Sequence, residues 1–147
     1  MPEVSVQLDI EAPMDRVWET VVDVERYPAS METVRWVRVL DEERGGERRT
    51  GWSVDLKGSI LEWEEVEQLD REAGEMRFEQ LRGDLLEFDG AWVLEKRGPN
   101  LTRVSFDVSF EIGIPLLADM LNPVAQRSLA DNCVEMLRGV EREAVGA

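Results

Sequence analysis

Two glutamates in a short acidic segment are the residues best suited to chemistry. Residues 62–67 read EWEEVE, within a run that alternates like a β-strand over 60–69. Alternate side chains of a strand point to the same face, so Glu65 and Glu67 are expected to share a face with Trp63. If that face is the inner one, burial would raise the pKa of a carboxyl group. Each glutamate would then be a candidate general acid or base.

The alternative is that the opposite face of this strand, marked by Ile60 and Val66, points inward and leaves the two acids in water. The same alternation argues against a metal site, because the clustered acids point to both faces and cannot form one cage. We therefore predict no metal and no cofactor.

Few other side chains in this sequence are suited to catalysis. The sequence has no histidine and a single cysteine, Cys133. Ser-His-Asp and Cys-His nucleophile systems and histidine-ligated zinc sites are thereby excluded. Neither of the common glycine-rich phosphate loops is present. Cys133 falls on an apolar helical stripe, which favours a buried structural thiol.

Six further side chains are candidates for contact with a ligand. Each has a structural alternative: the tryptophans could fill the core, the strand amide could reach water, and the helix amides could lie outside the pocket. The candidates are Trp52, Trp63 and Trp92, which share faces with apolar residues, Gln80 on a strand, and Gln126 and Asn132 on the C-terminal helix.

The apolar periodicity predicts the elements that position these residues. A strand over 4–11 precedes a helix that begins near Pro13 and a short turn that ends at Tyr27-Pro28. A long helix follows over 114–143, with a break or kink at Asn122-Pro123. Between them, turn signals separate six strands, over 34–40, 49–57, 60–69, 76–81, 86–96 and 102–112.

These elements predict an α+β fold in one domain over 1–147. About seven strands form a curved antiparallel sheet that wraps around the long C-terminal helix, because the apolar face of the sheet is the only large partner for that helix.

The amino-acid composition limits the classes of partner that we expect this protein to bind. The chain has 17 Lys plus Arg against 32 Asp plus Glu, a net charge of −15. Such acidity disfavours nucleic acids and anionic membranes, which attract basic surfaces. Apolar runs are too short for a membrane span, and the first residues lack the pattern of a signal peptide. The lone cysteine fits the reducing cytoplasm, where we expect the protein to act.

Two stretches near the start of the chain and two near its end carry a family resemblance. They are APMDRVW at 12–18, DVERYP at 23–28, FDVSFE at 106–111 and PLL at 115–117 leading to Asn122-Pro123. With the element order, the chain resembles the helix-grip fold of the START-like superfamily, of the polyketide cyclase/dehydrase and coenzyme Q-binding protein type. The resemblance implies a cavity between the sheet and the C-terminal helix that holds a polyketide- or isoprenoid-like molecule.

The resemblance fails at two places. Where aromatase/cyclases tend to have a pocket tyrosine and a pocket arginine, this sequence has Val34 and Glu67. We expect a polyketide cyclase/dehydrase-type protein that binds a hydrophobic small molecule, with an acyl carrier protein as partner if it serves a polyketide pathway. The alternatives are a non-catalytic lipid or quinone carrier, and a macromolecular interaction module whose cavity is filled. The oligomeric state is left open.

Overall fold

A computed structural model describes residues 3–56, 59–111 and 115–146, without the side chains of Ser59 and of residues 115–125. The helices are α1 (Met14–Val22), α2 (Tyr27–Ser30) and α3 (Pro115–Gly146), with a 3-10 turn at Val24–Arg26. The strands are β1 (Glu3–Ile10), β2 (Val34–Arg44), β3 (Glu47–Leu56), β4 (Ser59–Asp70), β5 (Glu75–Gly83), β6 (Glu87–Gly98) and β7 (Leu101–Glu111).

The strands form one antiparallel sheet in the order β1-β7-β6-β5-β4-β3-β2. Strands β2 to β7 are a meander, and β1 pairs with β7 at its far edge. Two-residue hairpin turns favour positive φ at both positions, which glycine adopts without steric cost. Gly45 and Gly46 meet this demand between β2 and β3, with φ of 61° and 85°.

The inner face of the sheet and the apolar stripe of α3 form the core. Strand β7 shows the expected alternation, with Val104, Phe106, Val108 and Phe110 buried between partly exposed neighbours. The predicted helical stripe is also buried; its members are Leu129, Cys133, Met136, Leu137 and Val140. Helix α3 packs against β1, β3, β7, α1 and α2. The predicted helix-grip architecture is confirmed.

Two local predictions were wrong, both at prolines. The turn expected to end at Tyr27-Pro28 is instead where α2 begins, because a proline in the first helical turn gives up no intrahelical hydrogen bond. Of the break or kink expected at Asn122-Pro123, the break is absent, since the structure assigns a continuous helix through both residues. The end of the last predicted strand, Ile112, lies outside the described residues.

No helix in the described part of the chain is long and apolar enough to cross a membrane.

Candidate functional site

A small apolar cavity lies between the sheet and α3. The space open to the centre of a water molecule is about 60 Å³. Among the described residues its walls come from strands β3 to β7 and from one face of α3. They are Trp52, Val54, Leu56, Leu61, Trp63, Glu65, Met76, Phe78, Leu85, Phe88, Trp92, Phe106, Val108, Phe110, Leu129, Asn132, Cys133 and Met136.

Stacked aromatic pairs build much of the wall. Trp52 and Trp63 occupy directly opposite positions on β3 and β4, and their rings lie 5.8 Å apart and nearly parallel. Trp92 and Phe106 are opposite on β6 and β7, with ring centroids 4.0 Å apart. Cross-strand aromatic pairs stabilise a sheet and give a flat, rigid surface against which an unsaturated ligand can pack. All three predicted ligand-binding tryptophans line the cavity.

The cavity opens at one end of the sheet. Four of the lining residues there are only partly buried: Leu56, Leu61, Trp63 and Leu85. Leu85 lies on the connection between β5 and β6, and its carbonyl accepts a hydrogen bond from Gln80 Nε2 at 2.7 Å. The next residue is tied down as well, since the amide N–H of Leu86 donates to the carbonyl of Glu111 at 2.9 Å.

A single carboxyl group reaches the cavity wall among the residues that the structure describes. Glu65 is 3% exposed, and its Oε1 accepts a hydrogen bond from Trp63 Nε1 at 2.7 Å. Of the two orientations that the sequence left open for this strand, these burials show the one in which the Trp63 face points inward. Ile60, which marked the alternative inner face, is half exposed.

Glu67 lies behind Glu65 and does not line the cavity. It is 0% exposed, and its Oε1 accepts a hydrogen bond from Arg48 Nε at 2.7 Å. The same oxygen lies 2.6 Å from Arg48 Nη2, as an ion pair. Its Oε2 accepts from the Thr50 hydroxyl at 3.0 Å. Arg48 also donates through Nη1 to the carbonyl of Val22 at 2.8 Å. The buried carboxylate therefore has a buried counter-charge held in a fixed position.

The two glutamates are electrostatically unequal. Burial, followed by the charge of Glu67 and a hydrogen bond to it, raises the pKa of Glu65 well above its ordinary value. The Trp63 N–H and the charge of Arg48 act in the opposite direction but do not outweigh these effects. Glu65 therefore keeps a proton at pH values where an exposed glutamate has lost it.

Arg48 and Thr50 are members of this network that the sequence reasoning missed. The register pairs Arg48 with Glu67 and Thr50 with Glu65 across β3 and β4. The signal was present in the Gly45-Gly46 dipeptide: a two-residue turn there starts β3 at Glu47 and brings Arg48 into the ladder. The prediction started that strand at residue 49.

The only tyrosine supports the network from α2. The Tyr27 hydroxyl donates to the carbonyl of Val21, and its ring packs edge-on against Trp52 at 5.6 Å and Trp92 at 6.3 Å. Burial, with a smaller effect of the charge of Glu67, raises the pKa of Tyr27 well above its ordinary value. The phenol is therefore neutral and its proton is committed to the backbone.

Helix α3 contributes an amide and a thiol to the cavity. Asn132 Oδ1 accepts from the Thr33 hydroxyl, and its Nδ2 has a weak contact with Met136 Sδ at 3.5 Å. Burial raises the pKa of Cys133 to about 12, so this side chain remains a thiol. The Asn132 Nδ2 group is thus a hydrogen-bond donor on the wall with only a weak acceptor.

The structure places the two predicted glutamines away from the cavity. Gln80 lies opposite Glu65, but its amide nitrogen is engaged by the Leu85 carbonyl and it is not among the lining residues. Gln126 is exposed and donates to the carbonyl of Glu3 at 2.8 Å. Ligand contact by either residue stays a prediction, and both are left out of the proposed site.

The described residues contain no group of histidine, cysteine, aspartate or glutamate side chains arranged to hold a metal ion.

The chain is similar to proteins of one sequence family and one structural class. A family model described as polyketide cyclase / dehydrase and lipid transport matches residues 10–136. A search of curated proteins found no match.

Among solved structures, TTHA0849 from Thermus thermophilus is 29% identical with a TM-score of 0.92, over 99% of this chain and 98% of that one. The Zhui aromatase/cyclase from a Streptomyces species is 24% identical with a TM-score of 0.82, over 97% and 92%. A START superfamily protein from Mycobacterium smegmatis is 15% identical with a TM-score of 0.84, over 99% of both chains. The last two likenesses support the fold alone.

Proposed function

Because this chain belongs to the polyketide cyclase / dehydrase and lipid transport family, we propose that it binds a hydrophobic, oxygen-bearing small molecule and closes or dehydrates a ring on it. We propose a polyketide- or isoprenoid-like ligand. An acyl carrier protein would deliver it if it arrives as a thioester. We also propose a cytoplasmic location, which the single cysteine supports.

The observation that carries this proposal is the position of Glu65. It is the one carboxyl group among the described lining residues, and burial favours its protonated form on the wall of a mostly apolar cavity. A buried acid with a raised pKa can both donate and recover a proton near neutral pH. Glu67 and Arg48 do not reach the cavity, so we assign them to positioning and charge balance.

The proton movements of a ring closure fit this arrangement. An enol carbon attacks a ketone carbon of the same chain, the enol oxygen loses its proton, and the ketone oxygen gains one. Glu65 donates the proton to the new alkoxide and recovers one from the enol, so the acid is regenerated. Loss of water then leaves a double bond in the ring. The fixed aromatic walls supply part of the rate by holding the chain folded.

The cavity is smaller than the ligand that it is proposed to bind. The 60 Å³ of open space holds only a few water molecules, whereas pockets for drug-sized ligands measure roughly 300–1,000 Å³. Binding therefore requires side chains to move. The partly exposed aliphatic side chains at the opening, Leu56, Leu61 and Leu85, are the ones we expect to move.

A carrier function is the second candidate, favoured by the apolar character of the wall. Apart from the tryptophan N–H groups, Glu65, Asn132 and Cys133 are the only described lining residues with polar side chains. An apolar cavity of this kind is sufficient to hold a cargo without acting on it.

A synthetic poly-β-ketone thioester of pantetheine separates the two. For a cyclase, wild-type protein accelerates formation of the ring product, and Glu65→Gln loses about 100-fold or more of that rate while still binding the compound. Glu64→Gln, on the outer face of the same strand, is the control and keeps the wild-type rate. Binding without turnover in all three proteins would indicate a carrier. Native mass spectrometry that finds neither a co-purified ligand nor probe binding would favour the interaction module.

A further inference from the structure

The polar groups around Glu65 indicate which head groups the cavity can accept on a ligand. Building on the proposed binding function, we infer that the cavity selects neutral ligands that carry a hydroxyl group, as an alcohol, enol or phenol, and rejects carboxylates. The selectivity depends on the free hydrogen-bonding capacity of Glu65 and on the placement of charge around it.

Glu65 can take either hydrogen-bonding role toward a hydroxyl group. A protonated carboxyl group has one O–H donor and several acceptor lone pairs. Among the described contacts its Oε1 accepts the Trp63 N–H at 2.7 Å. A ligand hydroxyl can donate to this carboxyl group or accept from it, whereas a carboxylate can only accept and brings a second negative charge close to Glu67.

The nearby cation, Arg48, already has partners within the protein. Three nitrogens of Arg48 face Glu67, the carbonyl of Val22 and the sulfur of Met76, the last at 3.7 Å. Arg48 does not line the cavity, and no described lining residue is a lysine or arginine. A carboxylate entering the cavity beside Glu65 would be buried without a counter-ion and close to the charge of Glu67, which is strongly unfavourable.

The other elements around the cavity add no compensating charge among the described residues. Helix α2 presents the neutral phenol of Tyr27, and α3 presents the Cys133 thiol and the Asn132 amide. The lining residues from β5, β6 and β7 are apolar or aromatic; they are Met76, Phe78, Phe88, Trp92, Phe106, Val108 and Phe110.

A carboxylic acid ligand must therefore enter in its neutral form. With an ordinary carboxyl pKa of about 4.3, roughly one molecule in 1,000 is neutral at pH 7.3 and about one in ten at pH 5.3. The apparent affinity for the acid should fall by about the same factors relative to a matched alcohol.

The test compares 1-decanol with decanoic acid, both below the concentration at which they aggregate. Binding is followed by tryptophan fluorescence and by calorimetry. We expect the alcohol to bind at least about 100-fold more tightly than the acid at pH 7.3, with the preference falling to about tenfold at pH 5.3. Equal affinities at pH 7.3 would overturn the inference while leaving hydrophobic binding intact. Failure of both probes to bind would overturn the inference and the proposed function together.

Two variants locate the source of the selectivity. Glu65→Gln is a neutral isostere that leaves the Glu67 and Arg48 charges in place, so the preference for decanol should persist. The double variant Glu65→Gln/Glu67→Gln leaves Arg48 without a partner, and decanoate should then bind at least about tenfold more tightly than to wild type. An unchanged preference in a folded double variant would contradict the charge argument. If that variant does not fold, wild type and Glu65→Gln at the two pH values still decide the question.

Discussion

The two faces of β4 carry the same residue type in opposite environments. On the outer face, Glu64 lies 3.3 Å from Arg82 and 3.5 Å from Arg49, in contact with water. On the inner face, Glu65 and Glu67 are buried together with one cation, Arg48. The glutamates on the two faces are chemically identical and differ in their exposure to solvent.

The comparison extends to the neighbouring strand, where Arg48 points inward and Arg49 outward. Arg49 forms ion pairs with acids that water can reach; its Nη1, for example, lies 3.2 Å from Asp41 Oδ2. Arg48 has a hydrogen bond or contact at every nitrogen. Exposed pairs of this kind are screened and contribute little, whereas a buried pair is costly to break once it has formed. The same residue types thus give a solvated surface on one side and a chemically perturbed site on the other.

The largest expected difference between the faces is in the cost of removing an arginine. Arg48→Met leaves the Glu67 carboxylate buried without a counter-charge and should lower the free energy of unfolding by about 3–5 kcal/mol. Arg49→Met should cost at most about 1 kcal/mol. Urea unfolding of both variants measures the difference, and equal losses would show that the inner pair is not distinctive.

The second expected difference between the two faces is in how the stability of the protein depends on pH. The folded pKa of Glu65 is raised, so above the unfolded value of 4.5 the folded protein holds a proton that the unfolded chain has released. The stability from this group is complete below that value and is lost as pH rises through the folded pKa. The maximum slope for one proton is about 1.4 kcal/mol per pH unit.

Substitution isolates that effect. Relative to wild type, Glu65→Gln should gain stability progressively as pH rises above the unfolded value, because glutamine releases no proton in either state. Glu64→Gln leaves Glu65 in place and should keep the wild-type pH dependence. Parallel stability curves for wild type and Glu65→Gln would be evidence against a buried, protonated Glu65.

A smaller effect should follow from the indole that binds Glu65. Trp63→Phe keeps an aromatic ring but removes the N–H that donates to Oε1, and should destabilise the protein by about 1 kcal/mol. Trp36→Phe is the outer-face control. The Trp36 ring contacts the Arg38 guanidinium at 4.5 Å, and losing part of that contact should cost no more than about 0.5 kcal/mol. Thermal unfolding compares the pair, and an equal loss in both would remove the distinction between the faces.

Periodicity predicted that Glu65 and Glu67 share a face with Trp63, but it left open whether that face is buried, because Ile60 and Val66 make the opposite face partly apolar too. It could not reveal Arg48, since an error at the start of β3 left that side chain in a turn. Nor could it reveal that Gln80 binds the Leu85 carbonyl, because partners of this kind depend on the path of a loop. The continuity of α3 through Pro123 was likewise missed, because Asn122-Pro123 has the local pattern of a helix start.

The resemblance gains a physical interpretation from the register. The alignment places Glu67 where related cyclases tend to have a pocket arginine, and the structure pairs that glutamate with Arg48 across the sheet. The cation is therefore present but does not line the cavity, and the carboxyl group of Glu65 lies on the cavity wall instead.

A crystal structure of the protein with 1-decanol bound is the most direct test of ligand contact by Glu65. We expect the alkyl chain to lie against the aromatic wall and the hydroxyl oxygen to lie about 2.6–3.2 Å from a carboxyl oxygen of Glu65. A chain bound outside the cavity, or a hydroxyl turned to the opening with no contact to Glu65, would contradict it.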